Sequence, residues 1–151
     1  MQQEKRQKVC CWDKFIINQK LFKQALLFMI NMEEIYKKLF SQFLSGAIDE
    51  ESKGRYNSAI SNYYKALSTL CSLIIYRKNR KMSSSHQEVD LFMGILFPDI
   101  RKQIDGLYKT YTGTYQTIKK KLDCLEIKNG IKTVIRMAGL EKEFKEALEK
   151  I

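Results

Sequence analysis

Apolar residues recur along this chain at intervals of three and four, with polar and charged residues between them. The clearest run is Tyr56, Ile60, Tyr63, Leu67, Leu70 and Ile74, spaced 4, 3, 4, 3 and 4 apart, which puts all six on one helical stripe and predicts that the stripe is buried. An earlier run, Met32, Ile35, Tyr36, Leu39, Phe43 and Ala47, has the same period and gives way to the polar stretch Asp49 to Lys53 and to Gly54, which together predict a turn. Two long helices joined so briefly are expected to pack antiparallel as a hairpin. Farther on, Ser83, Ser84 and Ser85 predict a loop, and Ser85 with Glu88 fits the Ser-x-x-Glu box that starts a helix. The helix expected from about Gln87 to Leu96 is apolar around most of its circumference, so it is expected to sit deep. Pro98 suits the first turn of a fourth helix carrying Ile100, Ile104, Leu107, Tyr108 and Tyr111, weakened by Thr112, Gly113 and Thr114. A last helical region from about Leu125 uses Ile127, Ile131, Val134, Ile135 and Met137, with a break at Gly139 before the amphipathic tail Phe144, Ala147, Leu148 and Ile151.

Strand alternation is nowhere convincing, and one proline and seven glycines leave the helical runs largely uninterrupted, so the expected class is all-α. At 151 residues and 44% hydrophobic content the chain can bury one real core, and one domain is expected over residues 32–151. Residues 1–31 differ from it. They combine the basic start Lys5, Arg6 and Lys8 with Cys10, Cys11, Trp12 and an apolar stretch, and are read as an N-terminal extension. Because Met29 and Met32 stand where the hairpin begins, that extension is either an appended arm or upstream sequence translated from a misassigned start. The best candidate for a membrane span, Phe15 to Ile30, is interrupted by Lys20 and Lys23, which also spoil a signal peptide, so no membrane association is expected. Cysteines 10, 11, 71 and 124 form no CxxC pair and have no histidine companions; they read as reduced packing residues in a cytoplasmic protein, with no metal or cofactor implied.

Charge changes the picture more. An excess of 27 basic over 17 acidic residues, +10 in all, favours nucleic acid, an anionic membrane surface or an acidic protein as partner. The long stripe ends in Arg77, Lys78, Asn79, Arg80 and Lys81, where cations suit both the negative end of a helix dipole and a phosphate backbone. Lys119, Lys120 and Lys121 would extend a nucleic-acid contact if they share that face. One short loop beyond the first cluster stands His86, the only histidine, whose side chain is the natural candidate for acid–base work near neutral pH. An imidazole at a helix start also has a plain reading, a hydrogen bond to its own backbone or to water. Tyr108, Tyr111 and Tyr115 could stack bases, but their steps of 3 and 4 favour core or interface packing.

From Met32 to about Leu140 the chain resembles the HEPN family, the higher eukaryotes and prokaryotes nucleotide-binding domain, and in particular its small stand-alone archaeal and bacterial members. The likeness lies in Gly54-Arg55-Tyr56-Asn57-Ser58-Ala59-Ile60-Ser61-Asn62-Tyr63-Tyr64-Lys65-Ala66-Leu67, then in the Ser85-His86 loop, and later in Leu107-Tyr108 and Tyr111. This resemblance implies an up-and-down bundle of four to five helices, often a homodimer. It also implies binding of RNA or nucleotides, in some members a toxin-like subunit paired with a nucleotidyltransferase-type protein. The family's catalytic signature is an Arg, four to six residues, then a His, and Arg80 and His86 stand with five residues between them. On that likeness the activity would be metal-independent RNA cleavage. His86 would take the proton of a ribose 2'-hydroxyl and Arg80 would neutralise charge on the phosphoryl oxygens, while Arg77, Lys78 and Lys81 hold the strand. Gly54, Tyr56, Ala59, Tyr63 and Ala66 also match the second helix of a tetratricopeptide repeat, but no second copy of that frame follows about 34 residues later. The alternative from a different class is a non-catalytic helical module that dimerises or docks a partner helix.

Overall fold

The computed structural model describes residues 11–151, and the basic start Lys5, Arg6, Lys8 with Cys10 lies outside the described residues. The chain is an all-α helical bundle with seven α-helices among the described residues: α1 Cys11–Ser52, α2 Tyr56–Asn79, α3 His86–Leu96, α4 Pro98–Gln103, α5 Leu107–Thr112, α6 Lys121–Met137 and α7 Lys145–Lys150. It divides into two compact units, Met1–Met32 and Glu33–Ile151. In the first, Leu21, Phe22, Leu27 and Phe28 are exposed. No helix among the described residues is long and apolar enough to cross a membrane.

The second unit is built on the α1–α2 hairpin. The polar turn comes where the sequence predicts it, with Lys53 and Gly54 donating to the carbonyls of Glu50 and Glu51. Antiparallel packing follows from the pairs it makes. Near the turn the Tyr63 hydroxyl donates to Glu51 at 2.6 Å, and at the far end the Tyr36 and Tyr76 rings lie 5.9 Å apart. The α2 stripe is buried from Ile60 to Ile74, as its period requires. Beyond that stripe, every residue from Leu70 to Tyr76 is buried, so this stretch of α2 is enclosed all round. The third wall is α6, whose Ile127, Ile131, Val134 and Ile135 are fully buried against α2. Gly130 lets it close on α5, since a Cβ there would overlap the Leu107 side chain.

Two sequence expectations need correction. Helix α3 does not sit deep. Only Val89 and Met93 are buried, while Leu91 and Ile95 are 58% and 65% exposed, because α3 packs on α2 and α4 along a single face. The fourth helix is two short ones. Gly106 adopts φ +90°, a left-handed conformation that side chains resist, and this separates α4 from α5. The break at Gly139 is as expected, and Phe144 and Ala147 of the tail are buried, Phe144 edge-on to Phe40 at 4.9 Å.

Candidate functional site

His86 is the first residue of α3, and the local sequence fixes it there. Ser85 caps the helix, its Oγ accepting from the Glu88 backbone N–H at 3.2 Å. The return half of the expected box is displaced by one residue, because the Glu88 carboxylate accepts from the backbone N–H and hydroxyl of Ser84 at 2.7 and 2.8 Å. The imidazole leans toward α2, where Nδ1 lies 2.9 Å from the Ser68 hydroxyl. Its plane is set by edge-on packing against Tyr64 and Tyr111, at 5.3 and 5.7 Å between centroids. Burial, and then the positive charge of Lys65, lower the His86 pKa, so the ring is neutral at pH 7.

His86 forms part of the wall of a cavity of about 380 Å³ between α2, α3 and the α4–α5 corner. Tyr64 and Tyr108 supply aromatic walls, Ser68 and Gln87 polar ones, and Arg101 and Lys109 positive charge. The Arg101 guanidinium is held by Asp90 at 3.1 and 3.2 Å, so this mouth carries both signs of charge. A second hollow beside His86, of about 370 Å³, is lined by Ser72, Ser83, Ser84 and Ser85, and the Ser83 hydroxyl is buried there with no hydrogen-bond partner. Cys71 also borders the first cavity, but burial pushes its thiol up to about 12 and leaves it unreactive.

The tyrosines are a surface cluster, so of the core or interface packing their spacing favours the core half does not hold. Tyr64 and Tyr111 stack face to face at 4.6 Å with planes 5° apart. Tyr108 packs at 5.9 Å from Tyr64, and the Tyr115 hydroxyl meets that of Tyr111 at 3.1 Å, raising the Tyr111 pKa to about 12. Tyr108 and Tyr115 are 47% and 75% exposed, so the steps of three and four mark an aromatic ledge rather than an interior stripe.

The sequence-derived candidates are distributed differently. Arg80, in a left-handed conformation at φ +59°, ends α2 with its guanidinium 3.2 Å from Glu33 and 5.5 Å from the Tyr76 ring centroid, and it lines neither hollow beside His86. Arg77 donates to Glu33 and, through two nitrogens, to Glu143, which fixes it in an ion-pair network. Lys78 is exposed, and the Lys81 ammonium sits 4.9 Å from the centroid of Phe92. Lys119 lies at the other end of α2, where its N–H donates to Asn57 at 2.9 Å. Lys120 and Lys121 follow at the start of α6, with the Asp123 carboxylate accepting from the Lys120 N–H at 2.7 Å. Asn57 and Arg77 are about 30 Å apart along the helix axis, so the two basic clusters do not share one patch.

What the sequence did not single out is the set that meets at His86: Tyr64 and Ser68 from α2, Arg101 from α4 and Lys109 from α5. Tyr64 alone carried a signal, as a member of the two-tyrosine phrase in α2. Among the described residues no group of three or more His, Cys, Asp or Glu side chains is placed to hold a metal ion. Comparison with protein-family models, curated proteins and solved structures finds no match to this chain.

Proposed function

We propose that this protein is a HEPN-like helical bundle that binds RNA or a nucleotide at the cavity beside His86 and acts in the cytoplasm. The observation that carries this reading is the meeting of flat aromatic surface, a neutral imidazole and two cations, Arg101 and Lys109, around one open cavity. Tyrosine faces suit a base, and the cations suit its phosphates. Buried thiols at Cys71 and Cys124, both free, fit a reducing compartment.

Titration of a fluorescent single-stranded RNA across salt concentrations tests it. With Lys109 and Arg101 as phosphate contacts, affinity is expected to fall about sevenfold between 50 and 200 mM salt. Tyr108→Ala, which removes one stacking surface, is expected to weaken binding about tenfold at fixed salt. Absence of binding at low salt refutes the reading.

Ribonuclease activity is the catalytic form of the same proposal, with His86 as base and phosphoryl charge neutralised by Lys109, since Arg80 is held by Glu33 and Arg101 by Asp90. Cleavage of an RNA pool in EDTA that leaves 2',3'-cyclic phosphate ends and is lost in His86→Ala is its signature. A toxin-like role beside a nucleotidyltransferase-type partner is part of this form.

A second reading is favoured by one observation, the exposed Leu91 and Ile95 of α3, which with Gly94 line a hollow rimmed by Asp90, Arg101, Lys102 and Asp105. On that reading the protein is a homodimer or helix-docking module. Leu91→Lys would then convert a dimer to a monomer in sedimentation, and RNA binding would be absent at every salt concentration.

A further inference from the structure

Three hydroxyl side chains of α2 behave alike: Ser61, Thr69 and Ser72 each donate back to the carbonyl four residues earlier, those of Asn57, Lys65 and Ser68. This is the usual satisfaction of a hydroxyl inside a helix. Ser68 breaks the pattern, because its Oγ faces across the helix interface to His86 Nδ1 at 2.9 Å. A serine hydroxyl carries one proton, and a neutral imidazole carries one N–H and one lone pair, so the contact couples the two choices. Either Ser68 donates and the imidazole proton sits on Nε2, or Ser68 accepts and the proton sits on Nδ1.

We propose that Ser68 is a positioning residue that donates to Nδ1, holds His86 as the Nε2–H tautomer and so presents an N–H donor, rather than a basic lone pair, to an acceptor oxygen of the ligand. The geometry around the ring supports a single orientation, since Tyr64 and Tyr111 pack edge-on against it and oppose a ring flip. Ser68 has the proton to give, having no bond back to the carbonyl four residues earlier, while its own carbonyl is occupied by Ser72. The consequence for function is specific: at rest the site is built to grip a phosphate or carbonyl oxygen, and His86 could serve as the base of the ribonuclease form only after its proton moves from Nε2 to Nδ1. The inference rests on the nucleotide-binding reading only for the identity of that oxygen.

The test needs no ligand. His86 is the only histidine, so a long-range proton–nitrogen correlation spectrum of the full 15N-labelled chain contains one imidazole. At pH 7.5 the expected spectrum shows Nε2 with the shift of a protonated nitrogen and Nδ1 with that of an unprotonated one. Ser68→Ala, a change that favours helix, is expected to move both shifts toward the tautomer mixture of free histidine while the circular dichroism is unchanged. A wild-type spectrum with the proton on Nδ1 overturns the proposal, as does a Ser68→Ala spectrum with the same tautomer ratio as wild type. A Ser68-dependent tautomer in a protein that binds no RNA would refute the nucleotide-binding reading and leave this inference standing. RNA binding with the proton on Nδ1 would do the reverse.

Discussion

Ser85 supplies the side-chain acceptor at the start of α3, and the helix that follows is held to the bundle by only two buried residues. Ser85→Ala is therefore expected to cost about 1 kcal/mol, read as a lower urea midpoint at unchanged slope. This residue was legible in the sequence because a cap and its partner are three positions apart. The role of Ser68 was not, since nothing at that position distinguishes it from Ser61 or Ser72 until α3 is folded against α2. Arg80 shows the converse. Its spacing to His86 satisfies a motif, yet a left-handed backbone at the end of α2 and the Glu33 carboxylate set where its guanidinium goes. Spacing counts residues, whereas direction depends on the backbone conformation between them.

Elements with a strong internal period were the readable part of the fold. The stripe of α2, the hairpin turn and the break at Gly139 each follow from residues close in sequence. Helix α3 lies shallower than its sequence predicts because apolar content tells how much surface a helix would bury, not how many neighbours it finds. The division of α4 from α5 turns on the left-handed backbone of Gly106, which a helix-spaced apolar pattern ran straight through. At this scale Gly130 is the sharpest probe. Alanine would gain about 1 kcal/mol in helix propensity, but its methyl would overlap the buried Leu107 side chain, and overpacking costs about 1–3 kcal/mol. Gly130→Ala is thus expected to be destabilising by about 1 kcal/mol. Combined with Leu107→Ala it should cost less than the sum of the two single changes, since the second removes the obstacle to the first.

In the bundle as a whole, residues 33–151 are tied at one end by an ion-pair network joining α1, α2 and the C-terminal tail: Arg77 with Glu33 and Glu143, and Lys37 with Glu143 at 2.8 Å. Arg77, then Lys37, holds the Glu143 carboxyl down to about 2, against the burial that opposes them. Because the folded carboxyl titrates below its unfolded value of 4.5, the stability it contributes is fully present above that pH and is lost as pH falls through about 2. Glu143→Gln should lower stability by about 1 kcal/mol at pH 7, a modest figure because the pair is partly in solvent. The gap from wild type should narrow below pH 4.5 and close near pH 2 in urea titrations. Long-range ties of this kind, like the assembly of the His86 cavity from α2, α3, α4 and α5, join residues far apart in the chain and leave no local signature.

The enclosure of α2 has one more consequence. Amide protons from Leu70 to Tyr76, surrounded on every side, should exchange with solvent only when the entire bundle opens, while those of α3 can exchange through local detachment. Where Cys71 borders it, the cavity thus has a wall with the stability of the whole protein, and along α3 one with the stability of a single helix. A ligand that spans both would slow exchange in α3 far more than in α2, and the difference between the two rates would report its occupancy.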